Sequence, residues 1–342
     1  MKLLVTGGAG FIGSHLVRRL AVEKGHDVIN LDALTYSGNP ANVRDLEGHP
    51  RHTFYRGDIG DRAVVTSLLR DHRIEGVINC AAESHVDRSI LDPRAFVQTN
   101  VVGTAVLLEA ARRAGVQRFL QVSTDEVYGN VVTGFSKEED PLTPGSPYAA
   151  SKAAGDLLAR SYWTTFHLPV MVTRGSNAYG THQYPEKLIP LFVTNAINDQ
   201  PLPLYGDGRH RRDWLAVQDH CAAIEHVFLK GEPGLIYNVG GGDERDNLTI
   251  AEQILTVLEK PRTLLRFVQD RPGHDRRYAM NCDRLYHLGW QPTVMFEEGL
   301  DATIRWYQQH ETWWRPIKTG EFQRYYQEQY GTRLAQGQSG GA

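Results

Sequence analysis

The feature that most constrains this chain is a short apolar strand, Lys2 to Thr6, that runs straight into Gly7-Gly8-Ala9-Gly10-Phe11-Ile12-Gly13 and then into a helical pattern reaching Val22. Glycines at 7, 10 and 13 suit a tight turn, close approach of backbone to a pyrophosphate, and close packing of helix on strand, with Phe11 and Ile12 opening a helix whose N-terminus faces the anion. A glycine-rich turn alone is a weak signal, and G-x-x-G-x-x-G departs from the commonest dinucleotide fingerprint. Its context strengthens it. A second strand, Asp27 to Leu31, ends in Asp32, where a carboxylate that bonds an adenosine ribose is expected. Ala33 and Leu34 follow, where an arginine would have met a 2′-phosphate, so the pattern favours NAD over NADP.

Strand and helix continue to alternate: Thr53-Phe-Tyr55 with Gly57-Asp58-Ile59, a helix over Arg62 to Leu69, the strand Gly76 to Asn79, a helix from about Pro93 to Ala114, and the strand Arg118 to Val122. This alternation implies an α/β fold of Rossmann type, a doubly wound parallel sheet with right-handed crossovers and a ligand cleft along the strands' carboxyl ends. Asp32, Asp58, Ile59, the small residues Ala81 and Ala82, and Thr124 all fall on that edge. After one more buried strand, Pro169 to Thr173, the chain turns irregular, which divides it into a cofactor domain over 1–176 with a return segment at about 213–240, and a smaller carboxy-terminal α/β substrate-binding domain over 177–212 and 241–331. Residues 332–342 are expected to form a disordered tail.

The chain has 342 residues, 37 lysines and arginines against 40 acids, and a net charge of −3, which excludes an electrostatic footprint for nucleic acid or an anionic membrane. Cys80, Cys221 and Cys282 are odd in number, far apart and in no metal-ligand spacing, so reduced thiols in a cytoplasmic protein are expected rather than a disulfide framework. There is no run of apolar residues long enough to span a bilayer, and Met1 leads directly into the first strand, leaving no room for a signal peptide.

Chemistry is concentrated between Ser123 and Lys152. The strand ending at Val122 leads into Ser123-Thr124-Asp125-Glu126-Val127-Tyr128-Gly129, and Tyr148-Ala-Ala-Ser-Lys152 follows. On a helix, the i, i+4 spacing places phenol and ammonium on one face, where the positive charge would favour a phenolate able to act as a general base. A tyrosine and a lysine so spaced also occur as a plain surface pair, and Asp125 and Glu126 also suit helix caps. A cofactor beside them gives the catalytic reading its weight. Two basic clusters, Arg209-Arg211-Arg212 and Arg271-Arg276-Arg277, suit a substrate diphosphate, because the guanidinium fork matches phosphate geometry.

Taken together, Gly7-x-x-Gly10-x-x-Gly13, Asp32, Ala81-Ala82-Glu83-Ser84-His85-Val86-Asp87, Thr124-Asp125-Glu126, Tyr148-x-x-x-Lys152, Pro185-Glu-Lys-Leu-Ile-Pro190, Arg212-Asp-Trp214 and Arg271-Pro-Gly-His-Asp275 resemble the dTDP-glucose 4,6-dehydratases of the extended short-chain dehydrogenase/reductase superfamily. The resemblance covers nearly the whole chain. It implies that Tyr148, aided by Lys152, takes the proton of the glucose 4-hydroxyl while hydride passes to NAD, that Thr124 holds the same oxygen, that Glu126 removes the C5 proton and that neutral Asp125 protonates the departing 6-hydroxyl. It also implies substrate contacts at Ser84, Asn177, Lys187, Leu188, Pro203, Tyr205, Arg212, Asn247 and Arg271, and a homodimer joined by the helices near 100–113 and after Tyr148. Gly175 and Ala178 depart from the family, which usually has Cys and Asn there, and altered local packing is the expected result. Two other readings compete: an epimerase or decarboxylase acting on another nucleotide sugar, such as a UDP-sugar, and a non-catalytic dinucleotide sensor. The Asp125–Glu126 pair speaks against the first, and the intact Thr124, Tyr148 and Lys152 against the second.

Overall fold

The computed structural model describes residues 1–337. Twelve strands form in chain order: β1 Lys2–Thr6, β2 Asp27–Asp32, β3 His52–Arg56, β4 Gly76–Asn79, β5 Arg118–Thr124, β6 Val170–Gly175, β7 Asn177–Tyr179, β8 Leu202–Tyr205, β9 Arg211–Ala216, β10 Ile236–Val239, β11 Glu244–Asp246 and β12 Leu265–Val268. Seven of them make one parallel sheet in the order β10-β6-β5-β4-β1-β2-β3. The order reverses between β1 and β4, the switch point at which an open α/β sheet offers a crevice for a ligand.

Continuous apolar runs make these strands internal. Leu3, Leu4 and Val5 of β1 and Val77 and Ile78 of β4 are fully buried, as suits a sheet covered on both faces. One face packs on Leu16, Val17 and Leu20 of the first helix and on Ile224, Val227 and Phe228 of the helix Val217–Lys230. The opposite face packs on Val65, Leu68 and Leu69, on Leu107, Leu108 and Ala111, and on Ala159 of the long helix Pro147–Phe166. Ser146 caps that helix by accepting from the Ala149 N–H, with Pro147 at its first position, so the chain is aimed to deliver Tyr148 at its very start.

The carboxy-terminal part has a separate core built on Ile189, Phe192 and Val193 of the helix Leu188–Ile197, Ile250 and Ile254 of the helix Asn247–Val257, and Ile304, Tyr307 and Trp314 further on. Its strands form two small sheets, β11-β9-β7 and β12-β8, while β10 returns to the large sheet and pairs with β6.

The helix expected from about Pro93 to Ala114 forms, with a π-helical segment, Val97–Gly103, before Thr104–Ala114, and a short helix, Val86–Leu91, precedes it with Val86, Asp87 and Ser89 buried. One local reading is corrected. Thr332–Gly337, assigned to a disordered tail, are helical, because the preceding Tyr330 is buried in the carboxy-terminal core and carries the helix with it; residues 338–342 lie outside the described residues.

Candidate active site

Two cavities meet along the carboxyl edge of the large sheet. The first, about 270 Å³, is lined by Gly7, Gly10, Phe11, Ile12 and Gly13, by Asp32, by Asp58 and Ile59, by Ala81, Ala82 and Ser84, and by Thr124, Asp125, Glu126 and Tyr148. Every cofactor position expected from the sequence is here except Lys152, which lies behind the wall. The glycine turn is compact: Gly7 has φ +69, and a Cβ there would stand 2.8 Å from the Ala81 nitrogen. At Gly13 a Cβ would stand 2.0 Å from the Gly7 carbonyl oxygen. Asp32 is held rigidly, its Oδ2 accepting from the Ala9 N–H (2.8 Å) and its Oδ1 from the Leu34 N–H (2.8 Å), while burial pushes its carboxyl up. A carboxylate at one end and a side-chain-free turn at the helix N-terminus fit an adenosine ribose and a pyrophosphate.

The second cavity is lined by Glu126, Asn177, Lys187, Leu188, Pro203, Tyr205, Arg212, Asn247 and Arg271, so of the expected substrate contacts only Ser84 falls elsewhere, on the first cavity, where its carbonyl accepts from Lys187 Nζ (2.5 Å). Glu126, Asn177, Glu186 and Lys187 line both cavities. Arg271 Nη1 donates to Asp87 Oδ1 (2.9 Å), the Tyr205 hydroxyl donates to Asp87 Oδ2 (2.8 Å), and Arg212 lies over the Tyr278 ring and donates to the Asp275 carbonyl (2.9 Å). Burial would raise the Asp87 carboxyl, but Arg271 and His85 outweigh it and hold it low. Sequence reasoning assigned Asp87 no role, because its partners lie far along the chain; the same holds for Tyr330, whose ring joins this wall from the carboxy-terminal segment.

At the junction, Thr124 Oγ1 donates to Asp125 Oδ1 (3.1 Å), and Thr124 also hydrogen-bonds Tyr148. Asp125 is buried; desolvation first, and the neighbouring Glu126 second, push its carboxyl up to about 8, so it carries a proton at neutral pH. Glu126 is also raised by burial, but Arg271, Arg212 and Lys187 pull it back toward the ionised form.

The Tyr148–Lys152 pair differs from expectation. Lys152 Nζ donates to the Val122 carbonyl (2.6 Å), and its charge is answered by Asp156. Tyr148 is held protonated, raised first by burial and then by the Glu126 carboxylate. The lysine therefore anchors the helix start to β5.

A hydroxyl, a phenol and a lysine on β5 and the following helix, beside a dinucleotide-shaped cleft, define the protein as an extended short-chain dehydrogenase/reductase. Residues 4–303 match the family model described as GDP-mannose 4,6 dehydratase. The dTDP-glucose 4,6-dehydratase of Xanthomonas campestris pv. campestris is 50% identical, with 93% of this chain and 96% of that protein covered. The crystal structure of DesIV, a dTDP-glucose 4,6-dehydratase from Streptomyces venezuelae determined with NAD bound, superposes with a TM-score of 0.91 at 48% identity, over 93% of this chain and 100% of that one. A UDP-glucose 4-epimerase of Thermus thermophilus, in complex with NAD, is similar at a TM-score of 0.85 and 33% identity, over 91% and 100% of the two chains. The chain belongs to the dTDP-glucose 4,6-dehydratase family.

Proposed function

We propose that the protein converts dTDP-glucose to dTDP-4-keto-6-deoxyglucose with NAD as a cofactor that ends each turnover unchanged. The observation that carries this reading is the Asp125–Glu126 pair at the junction of the two cavities, one carboxyl protonated and the other flanked by three cations. The fold does not distinguish a dehydratase from an epimerase; an acid and a base placed side by side do, because elimination must remove a proton at C5 and protonate a leaving group at C6.

In this reading the second cavity takes the nucleotide diphosphate, with Arg212, Arg271 and Lys187 supplying charge. When bound, NAD would supply a reversible hydride acceptor, and its positively charged ring would oppose the burial that keeps Tyr148 protonated. Tyr148 takes the proton of the 4-hydroxyl, which Thr124 orients. The resulting ketone acidifies C5; Glu126 takes the C5 proton while Asp125 gives its own to the 6-hydroxyl, which leaves as water. Glu126 then returns its proton to C5. Tyr148 ends with one proton too many and Asp125 with one too few, and the Thr124 hydroxyl, bonded to both, connects them.

The test is incubation with dTDP-glucose and, separately, UDP-glucose, followed by the base-induced absorbance of a 4-keto-6-deoxy sugar. Product from dTDP-glucose is expected; interconversion of 4-epimers without that absorbance overturns the reading in favour of an epimerase. The nucleotide released on denaturation should be NAD.

A homodimer and a cytoplasmic location belong to the same proposal. Val97, Val102 and Leu157 are exposed on two helices that pack side by side, which supports pairing of this face, although Leu107 and Ala153 on the same stretch are buried within the protomer. Light scattering at micromolar concentration should give twice the chain mass. No helix among the described residues is long and apolar enough to cross a membrane, and the three cysteines are free, which suits a reducing compartment.

A further inference from the structure

His220 sits on the helix Val217–Lys230 and lines the first cavity. It is 2% exposed, and neither Nδ1 nor Nε2 has a hydrogen-bond partner among the described residues. A neutral imidazole carries one N–H donor and one lone-pair acceptor, and burying both unmet is unfavourable. Burial also lowers its pKa to about 4, which keeps the ring neutral.

Its place is set by Gly175. That residue ends β6 in register with Thr124 on β5, and a Cβ there would stand 2.5 Å from His220 Nε2. The ring thus occupies room that any other residue at 175 would take, one strand beyond Thr124. The cavity runs from Asp32 on β2, past the glycine turn after β1 and Ala81 after β4, to Thr124 and Gly175 at the ends of β5 and β6. A dinucleotide with its adenosine ribose at Asp32 brings its other end to this side of the sheet. The pyrophosphate belongs to the glycine turn, and the residues that surround the nucleotide of the substrate line the second cavity, of which His220 is no part.

We propose that His220 anchors the carboxamide of the nicotinamide ring, whose NH₂ donates to the lone-pair nitrogen of the neutral imidazole. The assignment rests on NAD as the cofactor. It gives Gly175 a purpose: the missing side chain lets the imidazole reach the cleft, so His220 is a positioning residue for the cofactor's reacting end.

The test is calorimetric titration of nucleotide-stripped protein with NAD, with ADP-ribose and with the 3-acetylpyridine analogue of NAD, whose methyl ketone lacks the amide donor. Wild type should bind NAD more tightly than the analogue. His220→Phe should weaken NAD about three- to tenfold, the size of one neutral hydrogen bond, and abolish the preference over the analogue while leaving ADP-ribose unchanged. His220→Asn, which keeps a donor and an acceptor, should recover part of the loss. If ADP-ribose weakens equally, or NAD binding does not change, the proposal is wrong. If wild type binds ADP-ribose but shows no preference for NAD, it is wrong as well, and if wild type binds no NAD at all the cofactor assignment falls with it. Should His220→Phe fail to fold, ¹⁵N-histidine NMR of wild type decides: one buried ring-nitrogen signal must shift with NAD and stay still with ADP-ribose.

Discussion

In the first cavity the ligand meets backbone: a glycine turn, the ends of six parallel strands, and small residues at 81 and 82. In the second it meets charged and aromatic side chains drawn from the helix Val86–Leu91, from β8 and β9, from the loop around Arg271 and from Tyr330. The difference is one of what holds each site in shape. Backbone placed by a parallel sheet cannot relax without disturbing the core, whereas the second wall depends on paired charges such as Asp87–Arg271, whose side chains are 2% and 15% exposed. One cavity is rigid by packing and the other by electrostatics, and Glu126, lining both, is where the two must agree.

The most severe test of that junction is Glu126→Gln. Loss of a positioned general base should lower turnover about 10²–10⁴-fold. Because Tyr148 serves the earlier oxidation, the variant should still show absorbance of reduced nicotinamide in a single turnover, and Tyr148→Phe should not. An absence of that absorbance in Glu126→Gln with substrate still bound would place Glu126 in the wrong half of the reaction. Next in size is Asp87→Ala. It leaves the buried Arg271 guanidinium unanswered and should cost about 3–5 kcal/mol in denaturant unfolding, with a rise in KM for the nucleotide sugar. A loss below about 1 kcal/mol would mean that packing, not charge, holds the second wall.

These two cavities also differ in how far they can be read from the chain. Gly7, Gly10, Gly13 and Asp32 act through local geometry that the strand-turn-helix order announces, so the first cavity was legible at the level of single residues. The second was legible in part from its two basic clusters and otherwise by resemblance, but its supports were not: Asp87 meets Tyr205 and Arg271 118 and 184 residues further along the chain, and nothing in the spacing of those residues encodes the contact. The surroundings of Lys152 were out of reach for a related reason. An i, i+4 spacing fixes which face two residues share, but the Val122 carbonyl and Asp156 claim the Lys152 ammonium, and burial then sets the phenol.

The rigidity ascribed to the first cavity can be broken at one atom. Gly13→Ala puts a methyl group 2.0 Å from the Gly7 carbonyl oxygen, an overlap between two backbone segments that should cost about 1–3 kcal/mol of stability and much of the affinity for NAD. Retained affinity with a wild-type melting temperature would show that the turn yields. A smaller, graded effect belongs to pH. The folded pKa of Asp125, about 8, lies above its unfolded value of 3.8, so its contribution to stability is fully present below the unfolded value and lost as pH rises through about 8. Activity follows the same proton: kcat/KM should fall about tenfold, or about 1.4 kcal/mol, per pH unit above about pH 8. Asp125→Asn should be inactive, and its stability relative to wild type should improve between pH 5 and pH 8, by urea unfolding at about half-unit steps. A flat difference would mean that Asp125 is ionised throughout.

The smallest expected effect sharpens the comparison most directly, because it concerns an arginine in the same loop as Arg271. Arg276 donates to both oxygens of Asp207 at 2.6 and 2.8 Å, a geometry as good as that of Arg271 with Asp87, but its side chain and that of its partner are 47% and 58% exposed. In water the two charges gain little from each other, since each surrenders hydration and side-chain freedom to form the pair. Arg276→Ala should therefore cost under about 1 kcal/mol and leave KM unchanged, less than a third of the cost of Asp87→Ala. The difference should also respond to salt: raising ionic strength to about 1 M, where the screening length is about 3 Å, should erase the Arg276 contribution and leave most of the Asp87 one. If the two substitutions cost the same, or if salt removes both alike, burial does not strengthen the second wall, and the contrast drawn between the cavities fails.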